Sequence, residues 1–135
     1  MSDEDLVGQT LAGKYRVEKI LGKGGMGVVL GARHIKLDEP VAIKVLKPAM
    51  MEVAGMVNRF LREARAASKI KSEHVARVTD VDTLDDGVPY MVMEHLTGID
   101  FSDLRKQKGT FGVSEAVGYV LEACAAIGEA HELGI

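Results

Sequence analysis

A glycine-rich stretch, LGKGGMGVVL at Leu21–Leu30, constrains the fold of this chain more than any other segment. Its four glycines run directly into Val28, Val29 and Leu30, residues that favour a strand over the opening of a helix. Three structures remain open for it: an ordinary glycine hairpin, a dinucleotide-binding turn that opens a helix, or a strand–loop–strand flap whose backbone amides approach the phosphates of a nucleotide.

Around this stretch the residue pattern predicts an α+β domain with an antiparallel sheet. Alternating or continuous apolar runs predict strands, and apolar residues at helical spacing predict helices. The predicted elements are strands across Lys14–Leu46 with a turn at Asp38–Pro40, a helix at Asn58–Ile70, strands at Val75–Val81 and Pro89–Glu94 joined by a turn at Asp85–Gly87, and helices at Asp100–Lys108 and Ser114–Leu133, the last with Ser114 as its N-cap. The sheet therefore contains one inserted helix and precedes a helical segment.

Lys44 is a charged residue inside the apolar run VAIKVL, Val41–Leu46. Period-two alternation places Lys44 on the same strand face as Ala42 and Leu46. An ammonium group on such a face needs an anionic partner, because burying an unpaired charge is costly. The alternative is an edge lysine whose ammonium reaches solvent. The glycine-rich stretch just upstream favours the first interpretation, and with it the phosphate-binding flap.

Glu63 is the candidate carboxylate for aiming Lys44. It lies on the predicted helix beside the apolar Phe60, at the edge of the face expected to pack on the sheet. The competing interpretation is a surface ion pair between Glu63 and Arg59 or Arg62 of the same helix.

Several segments together resemble the protein kinases, in particular the bacterial serine/threonine kinases of eukaryotic type. They are the glycine-rich stretch, VAIK, the helix segment RFLREA with Glu63, YMVMEHLTG at Tyr90–Gly98 and the terminal AHELGI. The resemblance extends from Gly13 to Ile135 and implies a kinase N-lobe of five antiparallel strands and one helix, followed by the first helices of a helical C-lobe. We accordingly expect an N-terminal tail at 1–12, an ATP-binding N-lobe at 13–96, and the hinge exit with two C-lobe helices at 97–135.

The resemblance also implies roles for individual residues. Lys44 would pair with the α- and β-phosphates of ATP and with Glu63, which makes these two residues the catalytic candidates. Met93 matches the gatekeeper position, and the backbone groups of Glu94 and Leu96 match the hinge that binds adenine. The implied nucleotide-contacting set is Leu21, Gly22, Lys23, Gly24, Gly25, Met26, Gly27, Val29, Ala42, Lys44, Met93, Glu94 and Leu96.

The motifs that complete phosphoryl transfer in this family, H-R-D-x-x-x-x-N and D-F-G, do not occur in the 135 residues. The family uses them to orient the substrate hydroxyl and to hold Mg²⁺, so the Mg²⁺ ligands are expected beyond residue 135 and no metal ligand is assigned within it. We therefore expect these residues to be inactive alone and to work with ATP, a protein substrate and the remainder of the kinase domain. A non-catalytic nucleotide-binding or docking module is the alternative.

The composition argues against nucleic acid as a partner and indicates a reducing compartment. The net charge is −3 and only 4% of residues are aromatic, so the chain lacks the basic field and stacking platforms of nucleic-acid-binding proteins. No apolar run is long enough to span a membrane, and the single cysteine, Cys124, excludes an intrachain disulfide. These features predict a cytoplasmic location, for the chain itself or as the cytoplasmic part of a longer, membrane-anchored protein.

Overall fold

An antiparallel sheet of six strands dominates the computed structural model, which describes residues 3–135. The strands are β1 (Thr10–Leu11), β2 (Tyr15–Lys23), β3 (Gly27–His34), β4 (Glu39–Leu46), β5 (Val78–Thr83) and β6 (Pro89–Glu94), in the spatial order β1-β2-β3-β4-β6-β5. The helices are α1 (Pro48–Met51), α2 (Met56–Lys69), α3 (Phe101–Lys108) and α4 (Val113–Glu132), preceded by a 3-10 helix at Asp3–Leu6. The predicted α+β class and the order of the long elements are confirmed.

The chain divides into two compact units. Among the described residues, the first contains 3–68 together with Arg77–His95, and so holds all six strands. The second contains Lys69–Ala76 and Leu96–Ile135, and so holds α3 and α4. The candidate site described below is built mainly from the first unit.

The sixth strand comes from the segment that was expected to be a tail. Leu11 pairs with Tyr15 across β1 and β2, and its side chain is buried in the core. Asp3 Oδ2 and Glu4 Oε1 lie 3.6 and 3.7 Å from Lys23 Nζ at the end of β2. Residues 3–11 therefore pack along the sheet, because Leu6 and Leu11 pack with the core and Asp3 and Glu4 pair with Lys23. Residues 1 and 2 of the predicted tail lie outside the described residues.

Three predicted boundaries are wrong, each for a local reason. The turn between β3 and β4 is already complete at Asp38, whose φ of 53° reverses the chain, so Glu39 and Pro40 belong to β4. The strand predicted from Val75 begins at Val78, because Lys69–Ala76 belong to the second unit. Helix α4 has Gly112 as its N-cap, so Ser114 lies within the first turn and caps nothing.

The core of the first unit includes apolar side chains of both the sheet and α2. Phe60 and Ala64, one helical turn apart on α2, are fully buried with Leu30 and Ile43 of the sheet. Tyr90 of β6 is also fully buried, and its hydroxyl has no hydrogen-bond partner among residues 3–135. Phe60 and Ala64, on the helix face expected to pack on the sheet, thus join α2 to this core.

In the second unit, Glu129 of α4 fixes the loop that follows α2. Its two carboxylate oxygens accept hydrogen bonds from the backbone amides of Lys71 and Ser72, at 2.6 and 2.8 Å. An apolar side of α4 is exposed in this structure, as expected for a helix without a packing partner on that side. Its residues are Val117, Val120, Leu121, Cys124 and Ile127.

Candidate nucleotide-binding site

The glycine-rich stretch forms the hairpin between β2 and β3. Its tip is residues 24–26, and the Gly24 amide donates a hydrogen bond to the Gly27 carbonyl at 2.9 Å. Strand β3 begins at Gly27, which excludes the dinucleotide-binding turn, since that turn must open a helix. The strand–loop–strand arrangement is the one that the flap interpretation requires.

A cavity of about 470 Å³ lies under this hairpin. Every residue that lines it belongs to the nucleotide-contacting set predicted from the sequence. The lining residues are Gly22, Lys23, Gly24, Gly25, Met26, Gly27, Val29 and Lys44. The structure therefore brings the glycine-rich stretch and Lys44 together, although about twenty residues separate them in the sequence.

Strand pairing explains how Lys44 reaches this cavity. Val29 of β3 lies directly opposite Lys44 of β4, and Ala42 lies directly opposite Met93 of β6. Residues paired in this way carry their side chains on the same sheet face, and alternation puts Ala42 on the face of Lys44. Val29, Ala42, Lys44 and Met93 accordingly share one face, as the sequence alternation predicted for Ala42 and Lys44.

The carboxylate proposed as the partner of Lys44 is engaged elsewhere in this structure. Glu63 Oε1 accepts a hydrogen bond from Arg59 Nε at 3.0 Å, the surface ion pair that the sequence left open. No ion pair within 4.0 Å joins Lys44 to Glu63 among the described residues. Instead, Lys44 Nζ lies 5.9 Å from the centroid of the Phe60 ring, within the range of a cation–π contact.

The residues matched to the hinge and adenine pocket do not line the cavity that contains the hairpin residues and Lys44, apart from Val29. Met93 and Glu94 line a separate cavity of about 350 Å³ that also involves Tyr15 and His34. The Glu94 carboxylate accepts a hydrogen bond from the Arg77 amide at 2.7 Å. Leu21 lies near the end of β2 with 43% of its surface exposed. Leu96 belongs to the second unit and is 67% exposed.

Two contributors to the site escaped the sequence reasoning. Lys47 donates a hydrogen bond from its ammonium to the Gly24 carbonyl at 2.6 Å, across 23 residues of sequence. Phe60 contacts the ammonium of Lys44 as well as packing in the core. Neither contact has a sequence signature, because each depends on where an ordinary lysine or phenylalanine side chain ends in space.

Comparison with known proteins decides the family. The protein kinase domain model matches residues 15–135. The chain belongs to the protein kinase family. Its N-terminal sheet and helix are the predicted kinase N-lobe fold, with the short β1 added to the five expected strands.

Several relatives of this kinase segment are bacterial. It is 35% identical over 132 residues to the serine/threonine-protein kinase pkn3 of Myxococcus xanthus, covering 98% of this chain and 24% of that protein. It is 32% identical over 127 residues to the serine/threonine-protein kinase PrkC of Bacillus subtilis, covering 94% of this chain and 19% of that protein. The crystal structure of the Mycobacterium tuberculosis PknI kinase domain matches with a TM-score of 0.78 and 31% identity, over 95% of this chain and 52% of that one. The segment thus spans about half of a solved kinase domain and a smaller part of the curated relatives.

Between residues 3 and 135, no helix combines the length and the apolar character needed to cross a bilayer. Nor do any three His, Cys, Asp or Glu side chains in that described part of the chain group in a way that would hold a metal ion.

Proposed function

We propose that this segment is the ATP-binding part of a serine/threonine protein kinase that transfers the γ-phosphate of ATP to a protein hydroxyl. The observation that carries the proposal is the cavity under the β2–β3 hairpin, lined by six consecutive hairpin residues together with Val29 and Lys44. In the proposed arrangement residues 13–96 form the nucleotide-binding lobe, and residues 97–135 supply the first helices of the second lobe.

The chemistry of the lining suits a polyphosphate. A Cβ atom added at Gly22 or Gly25 would meet nothing within 4 Å, so these glycines are not required by packing inside the protein. Their lack of a side chain lets a ligand approach the backbone amides closely. Lys44 adds a positive charge to the same cavity, beside Val29, which offers an apolar surface to the base. When bound, Mg²⁺ would neutralise charge on the β- and γ-phosphates.

Glu63 has a conditional role in this proposal. Kinase catalysis requires the ion pair between the strand lysine and the helix glutamate. Here Glu63 is held by Arg59, so the productive arrangement needs Glu63 to exchange Arg59 for Lys44. Arg59 lies on α2 and the Lys44 ammonium lies beside Phe60 of the same helix. The exchange of Arg59 for Lys44 therefore needs a movement of side chains or of α2.

The experiment compares ATP binding and phosphotransfer in the full kinase domain that contains this segment. Wild-type protein should bind ATP and phosphorylate a generic protein substrate, whereas the 135 residues alone should transfer no phosphate because they lack the H-R-D and D-F-G motifs. A full domain that binds ATP without phosphotransfer would favour the non-catalytic nucleotide-binding module. Failure to bind ATP at all would reject the proposed site.

A further inference from the structure

Lys47, the first residue after β4, contacts the tip of the glycine-rich hairpin through two different groups. Its ammonium donates a hydrogen bond to the Gly24 carbonyl at 2.6 Å, and its backbone amide donates to the Met26 carbonyl at 3.0 Å. A single residue therefore fixes both ends of the tip, residues 24–26.

Lys47 can reach both carbonyls because the hairpin lies close to the end of β4. Gly27 pairs with Leu46, the residue before Lys47, and a Cβ at Gly27 would lie 2.5 Å from the Val45 carbonyl oxygen. Any side chain at Gly27 would push the hairpin away from the end of β4. Glycine at this position therefore keeps the Gly24 and Met26 carbonyls within reach of Lys47.

The hydrogen bond from Lys47 to the Gly24 carbonyl also fixes the orientation of the Gly25 amide. The carbonyl of Gly24 and the N–H of Gly25 belong to one rigid, planar peptide group and point in opposite directions. The bond from Lys47 to the Gly24 carbonyl consequently directs the Gly25 N–H away from Lys47. Lys47 does not line the cavity under the hairpin, whereas Gly24 and Gly25 do. The Gly25 N–H thus belongs to a residue that lines the cavity, and its orientation is set by the bond from Lys47 to the Gly24 carbonyl.

We propose that Lys47 is a positioning residue that fixes the peptide groups of the glycine-rich tip so that the Gly25 amide is ready to bind a nucleotide phosphate. The inference rests on the proposed function, since it gives the cavity under the hairpin a phosphate to bind. Lys47 acts through the backbone of the tip and has no contact with the nucleotide. Lys44 places a positive charge in the cavity, whereas Lys47 holds the backbone of the hairpin tip that lines it.

The first test measures the tip without nucleotide, so it does not depend on ATP binding. In the full kinase domain, the ¹⁵N order parameter of the Gly25 amide should be near the value of about 0.85 typical of rigid backbone. Lys47→Met removes the ammonium donor and should lower it toward about 0.6, the range of flexible backbone. Lys47→Arg keeps a cationic donor and should restore order. Lys36→Met removes an equal charge from the exposed β3–β4 turn and should change nothing.

The second test separates positioning from general stability. Lys47→Met should raise the KM for ATP by roughly three- to tenfold, the effect of losing one hydrogen bond, and leave kcat within about twofold. Lys47→Arg should return KM toward the wild-type value, and the melting temperature should stay constant across the series.

Each outcome has a defined meaning. An equally ordered Gly25 in Lys47→Met would overturn the inference, and so would a loosened Gly25 with an unchanged KM for ATP. A fall in kcat with no change in KM would assign Lys47 to another step. If wild-type protein does not bind ATP, the proposed function fails, while the order parameters still decide whether Lys47 holds the tip.

Discussion

Arg59 Nε lies 3.0 Å from Glu63 Oε1, one turn along α2, and occupies the carboxylate that we propose as the partner of Lys44. Arg59→Ala should free Glu63 for Lys44. An exposed i,i+4 ion pair contributes about 0.3–0.5 kcal/mol, so we expect a rise of about twofold in kcat/KM for ATP, measured by steady-state kinetics on the full domain.

The matched control is Arg65→Ala, which removes a second exposed arginine from the same helix. It should leave kcat/KM unchanged, and Glu63→Ala should lower kcat/KM with or without Arg59. A gain in the double variant Arg59→Ala/Glu63→Ala would show that Arg59 acts through something other than Glu63.

Lys44→Met should abolish useful phosphotransfer while leaving the fold intact. The substitution removes the cation from the cavity under the hairpin but keeps the length of the side chain beside Phe60. Removing one preorganised electrostatic group from an active site costs about 10²–10³ in kcat, which sets the expected loss. Phosphate incorporation and circular dichroism measure the two effects, and full activity in a folded Lys44→Met protein would refute its assigned role.

Gly27→Ala should destabilise the first unit, because its Cβ would lie 2.5 Å from the Val45 carbonyl oxygen and the hairpin would have to shift. Overpacking of this kind costs about 1–3 kcal/mol, measurable by urea unfolding. Gly25→Ala is the control: its Cβ would meet nothing within 4 Å, so stability should change by less than about 0.5 kcal/mol. Equal losses in both variants would mean that backbone freedom, rather than the Val45 contact, requires the glycines.

Tyr90→Phe should stabilise the protein at neutral pH. The Tyr90 hydroxyl is buried without a partner among residues 3–135, and such a group costs about 1–3 kcal/mol. A gain of about 1 kcal/mol in the free energy of unfolding is therefore expected. Tyr119→Phe removes a hydroxyl that donates to Glu115 Oε1, so it should not stabilise. A loss of stability in Tyr90→Phe would show that the hydroxyl has a partner.

The same residue predicts a response to alkaline pH. Burial, followed by the Asp82 and Asp80 carboxylates, raises the pKa of Tyr90 from 10.0 to about 12. The folded state thus favours the neutral phenol, and this stabilisation is complete below pH 10 and lost as the pH rises toward 12. Wild-type protein should therefore lose more stability than Tyr90→Phe across that interval, as measured by denaturation at fixed pH values.

The sequence predicted the long, strongly patterned elements well. The strand Pro89–Glu94 matches β6 at both ends, and Gly87 occupies the turn that precedes it, with a φ of 87° that favours glycine. The helix predicted at Asn58–Ile70 is α2, Met56–Lys69, displaced by one or two residues. β1 was missed because two residues carry no periodicity, and pairing with Tyr15 rather than local propensity makes Thr10–Leu11 a strand.

The sequence predicted those features of the site that follow from the order of the strands. It missed the features that depend on the direction of individual side chains. Lys44 reaches the glycine-rich hairpin because adjacent antiparallel strands bring Val29 and Lys44 opposite each other, which the order of strands implies. The partner of Glu63 depends on which cation its flexible side chain meets, and Arg59 is the nearer competitor on the same helix. Lys47 looked like an ordinary surface lysine, since nothing in a sequence marks a bond to a carbonyl 23 residues away.

The contact of the 3-10 helix with Lys23 affects how recombinant protein should be prepared. Asp3 and Glu4 lie beside Lys23, which lines the cavity under the hairpin. A purification tag fused ahead of Met1 is separated from Asp3 by only two residues, at most about 7 Å of chain. A polyhistidine tag at that position would therefore bring titratable imidazoles within reach of the hairpin. Nucleotide affinities of this protein are best measured with the N-terminus untagged or the tag removed.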